Sequence, residues 1–218
     1  MNVKEIIARR AAKELENNMV VNLGIGLPTM VGDYLPEGVR IITQSENGIL
    51  GMAGLADESN TDPNIVNAGG TPVTVHDHAC FFDSATSFVV IRGGHVDATI
   101  LGALQVDEKG NLASHIIPGK MVPGMGGAMD LVTGSKRVIV AMTHTAKGDE
   151  AKILKEITLP ATAVGKVNMI ITELAVIEVT PDGLLLKEIA DTTTVEEVQR
   201  LTGATLKVAD DLKTFEAA

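Results

Sequence analysis

Residues 19–43 read MVVNLGIGLPTMVGDYLPEGVRIIT, and the order of signals along that stretch decides the fold class. The apolar, β-branched opening predicts a short buried strand over 19–23. Gly24-Ile25-Gly26-Leu27-Pro28 then forces a tight turn, and Pro28 is placed to start a helix reaching Leu35. Pro36-Glu37-Gly38 stops that helix, and 39–43 is a second β-branched strand. Strand, helix, strand in so few residues is the unit of an α/β protein.

On the amino side, Val3, Ile6, Ile7, Ala11 and Leu15 recur at helical spacing, so the chain opens with an amphipathic helix that ends near Asn17-Asn18. On the carboxyl side the alternation continues. A helix is expected over 83–91, a strand over 97–106, a strand over 112–117 after the turn Asp107-Glu108-Lys109-Gly110, a helix over 128–133 and a strand over 138–143. The last third differs: strands over 169–179 and 184–189 flank the hairpin signal Thr180-Pro181-Asp182-Gly183, and Thr194-Val195-Glu196-Glu197 is a capping box for a helix through Leu201. The expectation is α/β, a single domain over 1–218 with a mainly parallel sheet, flanking helices and antiparallel additions.

A chain of 218 residues buries about 70% of its unfolded surface. With one Tyr, four Phe and no Trp, its core must be aliphatic. The net charge of −10 speaks against nucleic acid, because phosphate contacts need clustered Lys and Arg, and no aromatic is spare for stacking bases. The lone Cys80, beside Phe81 and Phe82, reads as a small buried hydrophobe in a reducing compartment. No signal-peptide stretch and no run of about 18 apolar residues is present, so a soluble, cytoplasmic chain without a membrane partner is expected.

Loops at the carboxyl ends of strands carry the chemistry of open α/β folds. Three qualify. In Asn22-Leu23-Gly24-Ile25-Gly26-Leu27-Pro28, two glycines let backbone approach a ligand, and the start of a helix suits an anion; equally, it is a tight turn. It is not a dinucleotide fingerprint, since Thr29 stands at the third glycine position and Gln44-Ser45 end the next strand without an acidic residue. The second loop carries Glu46, between Ser45 and Asn47-Gly48 and ahead of apolar Ile49-Leu50. A poorly hydrated corner raises a carboxylate's nucleophilicity, although a lone Glu also serves as a cap for backbone donors. In the third, Gly124, Gly126 and Gly127 precede a helix beginning near Ala128, which leaves free amides for an oxyanion or simply a flexible crossover.

Weaker signals point elsewhere. His76-Asp77-His78 puts two imidazoles on one face of a strand, but without Cys-x-x-Cys or His-Glu-x-x-His support no metal is expected. Lys120 and Lys147 read as surface or anion-binding cations. Gly119-Lys120-Met121 is not a Walker motif, and no Gly-x-Ser-x-Gly elbow exists.

Taken together, Asn22 to Pro28, Gln44-Ser45-Glu46-Asn47-Gly48-Ile49-Leu50-Gly51, Asn67-Ala68-Gly69, Ile91-Arg92-Gly93-Gly94-His95-Val96-Asp97 and the stretch from Pro118 to Asp130 resemble the family I 3-oxoacid CoA-transferases, in their B (beta) subunit, over nearly the whole chain. The resemblance implies that Glu46 is the nucleophile, forming an acyl-glutamyl anhydride and then a glutamyl-CoA thioester. It implies that Gly127 offers an amide to oxyanions, that Gly126 keeps the approach open, that Asn22 and Gly24 line the pocket and that Asn47 helps to fix Glu46. It further implies a short-chain carboxylate of the acetoacetate, butyrate or acetate class, coenzyme A as co-substrate with no permanently bound cofactor, and an A (alpha) subunit in an α2β2 assembly. Two departures from the family pattern are Ala53 in Gly51-Met52-Ala53-Gly54 and Ser114-His115 where relatives carry Asn-Trp; both bear on pocket shape. Competing readings are a sugar-phosphate isomerase-like enzyme with Glu46 as base, and a non-catalytic acyl-CoA-binding regulatory domain.

Overall fold

The computed structural model describes residues 1–119 and 124–217. Lys120 therefore lies outside the described residues, as does the stretch 121–123. The opening helix α1 (Val3–Ala12) is closed at its start by Asn2 and Glu5, which cap each other reciprocally. It leads to β1 (Val20–Leu23), a 3-10 helix (Leu27–Tyr34) begun by Pro28, and β2 (Ile42–Ser45). The expected strand–helix–strand unit is present, but the helix is wound more tightly and the second strand starts later. Tyr34 is stacked beneath the Arg9 guanidinium, 4.7 Å from the ring centre, which ties the 3-10 helix to α1.

The small and apolar run after Glu46 is a strand, β3 (Ile49–Leu55), paired antiparallel with β2 and with β4 (Val73–Phe81). Next come α2 (Ser84–Arg92), capped by Asp83, and β5 (Ala98–Leu101). The expected strand over 97–106 breaks after Leu101: β6 (Gln105–Asp107) leaves for a small sheet, where it pairs with β7 (Leu112–Ala113). The buried Asp107 carboxylate holds that break, accepting from the amides of Lys109, Asn111 and Ile157 and from the Asn111 side chain. After α3 (Ala128–Gly134) follow β8 (Arg137–Ala141) and β9 (Ile153–Leu154), the third strand of the small sheet.

The apolar run 169–179 is two strands, β10 (Met169–Ile171) and β11 (Ala175–Thr180). Its turn is hidden in the sequence because a threonine builds it: Thr172 Oγ1 accepts from the amides of Leu174 and Ala175. The hairpin expected at Thr180 joins β11 to β12 (Gly183–Ala190), the capping box starts α4 (Val195–Leu201), and an unanticipated β13 (Leu206–Phe215) ends the fold.

The large sheet has the order β13-β12-β11-β10-β8-β5-β1-β2-β3-β4. Its middle five strands, from β10 to β2, are parallel; β3, β4 and β11 add antiparallel pairs, so the α/β reading with antiparallel additions holds. Alternate residues serve opposite faces. Val21, Ile100, Ile139 and Ile171 pack with Ile7, Ala8 and Ala11 of α1, while Val138, Val140 and Ile170 pack with Ile91 of α2 and Leu131 and Val132 of α3. As composition requires, both cores are mainly aliphatic, with Phe215 a buried aromatic on the α1 side.

A polar node stitches the far side. His144, fully buried, bonds Thr172 through Nδ1 and Thr202 through Nε2, both at 2.9 Å, joining the end of β8 to the β10–β11 turn and the end of α4. Burial, with the charge of Lys152 second, pushes the imidazole down to about 4. Cys80 departs from expectation: it is exposed, as is Phe81 on the opposite face, because β4 is the last strand of the sheet. No helix among the described residues is long and apolar enough to cross a membrane.

Candidate active site

Strand order reverses at β1: the chain first places β2 on one side of it, then β5, β8 and β10 on the other. Loops diverge at such a switch point and leave a crevice. A cavity of about 300 Å³ lies there, lined by Leu23 and Gly24 at the end of β1, Ser45 and Glu46 at the end of β2, and Leu101 at the end of β5. Asn22, Gln44, Asn67, Ala68, Gly69, Gly124 and Gly126 also line it.

Glu46 stands on the tight turn between β2 and β3. The Gly48 amide donates to the Ser45 carbonyl at 3.0 Å, and Gly48 has φ +110, where a side chain is strained. A Cβ on Gly48 would also overlap the Phe82 carbonyl oxygen. Sequence and contacts thus agree that only glycine closes this turn and aims Glu46 back at the cavity.

The third glycine loop meets it there. The Gly127 amide, at the start of α3, lies 3.1 Å from Glu46 Oε1 and 3.0 Å from Oε2, donating between them. Gly126 has φ +55, and a Cβ on it would lie 2.9 Å from Oε1; a Cβ on Gly127 would overlap Oε2 and press within 3.2 Å of Phe88. Two residues 81 positions apart are brought together because β2 ends and α3 begins at the same edge. Gly24 is needed for packing as well, since a Cβ would meet Leu101 Cδ2 at 3.0 Å and the Ile100 carbonyl at 3.1 Å.

Five of the six expected site residues, Asn22, Gly24, Glu46, Gly126 and Gly127, gather here. Asn47 does not. Its side chain turns away and donates to the Val66 carbonyl at 2.7 Å, so it anchors the 60s loop rather than holding the Glu46 carboxylate. Ser114 and His115 bond Thr162 and do not line the described cavity. Ala53 sits within β3, outside the lining, while its neighbour Met52 contributes to it. His76 and His78 are exposed on β4, and no group of three metal-binding side chains occurs among the described residues.

Sequence reasoning quoted Gln44 and Ser45 as flanks of Glu46 but assigned neither a role. Both are buried at the cavity floor, and Ser45 Oγ accepts from the Ala68 amide at 3.2 Å, holding the 67–69 loop over it. Their position directly before Glu46 was the signal that could have found them.

The family model described as coenzyme A transferase matches residues 4–201. The chain belongs to that family. It is 55% identical to the beta subunit of the acetate CoA-transferase of Escherichia coli (strain K12) over 214 residues, which cover 98% of each chain. It is 47% identical to the beta-type (B) subunit of the succinyl-CoA:3-ketoacid coenzyme A transferase of Helicobacter pylori (strain ATCC 700392 / 26695), over 94% of this chain and 99% of that one. Among solved structures, the acyl-CoA transferase apoenzyme of Escherichia coli O157:H7 superposes with a TM-score of 0.79 at 25% identity, covering 99% of this chain and 44% of that one. The coenzyme A transferase fold is therefore the fold described above.

Proposed function

We propose that this coenzyme A transferase chain moves coenzyme A between an acyl-CoA and a short-chain carboxylate through a glutamyl-CoA thioester on Glu46. The observation that carries this reading is the Gly127 amide donating to both Glu46 oxygens at the switch-point cavity. Glu46 attacks the thioester carbonyl, and the tetrahedral oxyanion collapses to expel CoA thiolate and leave a mixed anhydride. The thiolate then attacks the Glu46 carbonyl of that anhydride, releasing the first acid as its carboxylate and forming the glutamyl thioester. A second carboxylate attacks the glutamyl thioester, expels thiolate and forms a new anhydride. The thiolate attacks its acyl carbonyl, giving the new acyl-CoA and free Glu46. In the steps at Glu46 the negative charge develops on an oxygen already within 3.1 Å of the Gly127 amide, so the donor is in place before charge appears.

The apolar walls, Leu23, Met52, Leu101 and Leu131, suit a short acyl chain of the acetoacetate, butyrate or acetate class and shield the anhydride from water. Coenzyme A enters as a co-substrate only. The relatives named as beta-type subunits support an alpha-type partner chain, which we place in a cytoplasmic α2β2 complex and which supplies the donor for the acyl oxyanion.

Incubating the reconstituted complex with acetoacetyl-CoA and reducing with borohydride tests the reading: a mass-shifted Glu46 peptide is expected. An unmodified Glu46 alongside sugar-phosphate isomerisation would sink it, as would CoA binding with turnover unaffected by Glu46→Ala.

A further inference from the structure

Hydrogen-bond polarity on the cavity floor can be assigned atom by atom. Asn22 Nδ2 lies 3.0 Å from the Gln44 backbone carbonyl, and because a backbone carbonyl only accepts, that end of Asn22 is its nitrogen. The same nitrogen lies 2.7 Å from Gln44 Oε1, which takes its second hydrogen. Gln44 Nε2 then points away and donates to Ser87 Oγ on α2 at 3.0 Å. Gln44 is 1% exposed and Ser87 is fully buried, so flipping Asn22 would set its oxygen against two acceptors and flipping Gln44 would set two donors against each other, where water cannot compensate. The backbone carbonyl and Oε1 of Gln44 therefore take both hydrogens of Asn22 and together orient its amide.

The polar atom of Asn22 left over is Oδ1. Asn22 lines the cavity, and no group among the described residues donates to that oxygen. Thr99, next in the row across the sheet, has a buried hydroxyl that also lacks a partner among the described residues. This corner is short of polar partners.

An acceptor has the wrong sign for an oxyanion and the right one for a donor on the substrate. Thioester, carboxylate and anhydride carry no N–H. The nearest N–H to the sulfur of an acyl-CoA is the first amide of its pantetheine arm. We propose that Gln44 is a positioning residue that locks Asn22 with its carbonyl oxygen facing the cavity, so that Asn22 accepts a hydrogen bond from that pantetheine amide; this rests on the glutamyl-CoA reading above.

The test compares two acyl donors in the reconstituted complex: an acyl-CoA, and an acyl thioester of a simple alkanethiol that lacks the amide. Gln44→Met should lower the ratio of kcat/KM for the first to that for the second about tenfold, ~1.4 kcal/mol. Gln44→Glu keeps an oxygen toward Asn22 and lets the Ser87 hydroxyl turn to donate, so its ratio should stay within about threefold of the parent. A loss of activity shared equally by both donors, which a purely structural role produces, leaves the ratio unchanged and overturns the inference. If Gln44→Met does not assemble, Asn22→Ala reads the same ratio: a fall supports the inference and no fall overturns it. The borohydride adduct separates the two failures. With the adduct formed in the parent and the ratio unmoved, only the role of Gln44 and Asn22 falls; with no adduct in the parent, the reading of Glu46 falls and this inference with it.

Discussion

On the proposed reading, Glu46 and Gly127 carry most of the chemistry with one carboxylate and one amide, so single atoms decide activity. Glu46→Gln keeps the size of the side chain but not the nucleophile, and should lower turnover by several orders of magnitude and abolish the borohydride-trapped adduct. Gly127→Ala puts a methyl where Glu46 Oε2 lies and displaces the donor; kcat should fall about 10²-fold with a smaller change in KM, measured by steady-state transfer assays. Of these roles the sequence displayed the parts and not their meeting. The residues around Glu46 and the glycine run were visible as candidates, yet a lone carboxylate after a strand and a glycine-rich crossover each had an ordinary explanation. What joins them is tertiary, a hydrogen bond across 81 positions. Asn47 departs from what the resemblance implies: the turn sends its side chain away from Glu46 and onto the Val66 carbonyl.

At the level of elements, the hairpin carrying Glu46 depends on one conformation. Gly48→Ala should cost about 3 kcal/mol, from positive φ together with the overlap on Phe82, and urea unfolding would measure it. The His144 node gives a pH signature. Folded, its imidazole is held down to about 4; unfolded, it returns to the ordinary value near 6.5. Between those values the unfolded chain binds the extra proton, so stability is intact above about pH 6.5 and falls as pH drops toward 4, by up to about 3 kcal/mol. Denaturation midpoints across that range should slope accordingly, and His144→Gln should flatten the slope. Elements with strong local signals were legible: α1 and α2 from their periodicity, α4 from its capping box, and the β11–β12 hairpin. The break at Thr172 and the polar strand β13 were not, since a threonine side chain makes the first and pairing with β12 the second.

For the molecule as a whole, the proposed mechanism has the cavity and the amide donor serve the steps at Glu46 and leaves the acyl oxyanion to a partner chain. The purified chain alone should therefore show no transfer between acetoacetyl-CoA and acetate, with activity appearing on adding the partner and saturating at one chain of each kind; full activity of the isolated chain would contradict the division of labour. The aliphatic cores have an optical consequence. With no tryptophan, ultraviolet emission comes from Tyr34 alone, and Tyr34 is stacked under Arg9 at the α1 contact, away from the chemistry. An unfolding curve followed by fluorescence thus watches one corner of the molecule and is blind to the reaction centre. Phe88, against Gly127, is where a single indole would turn that dark site into a reporter of ligand arrival.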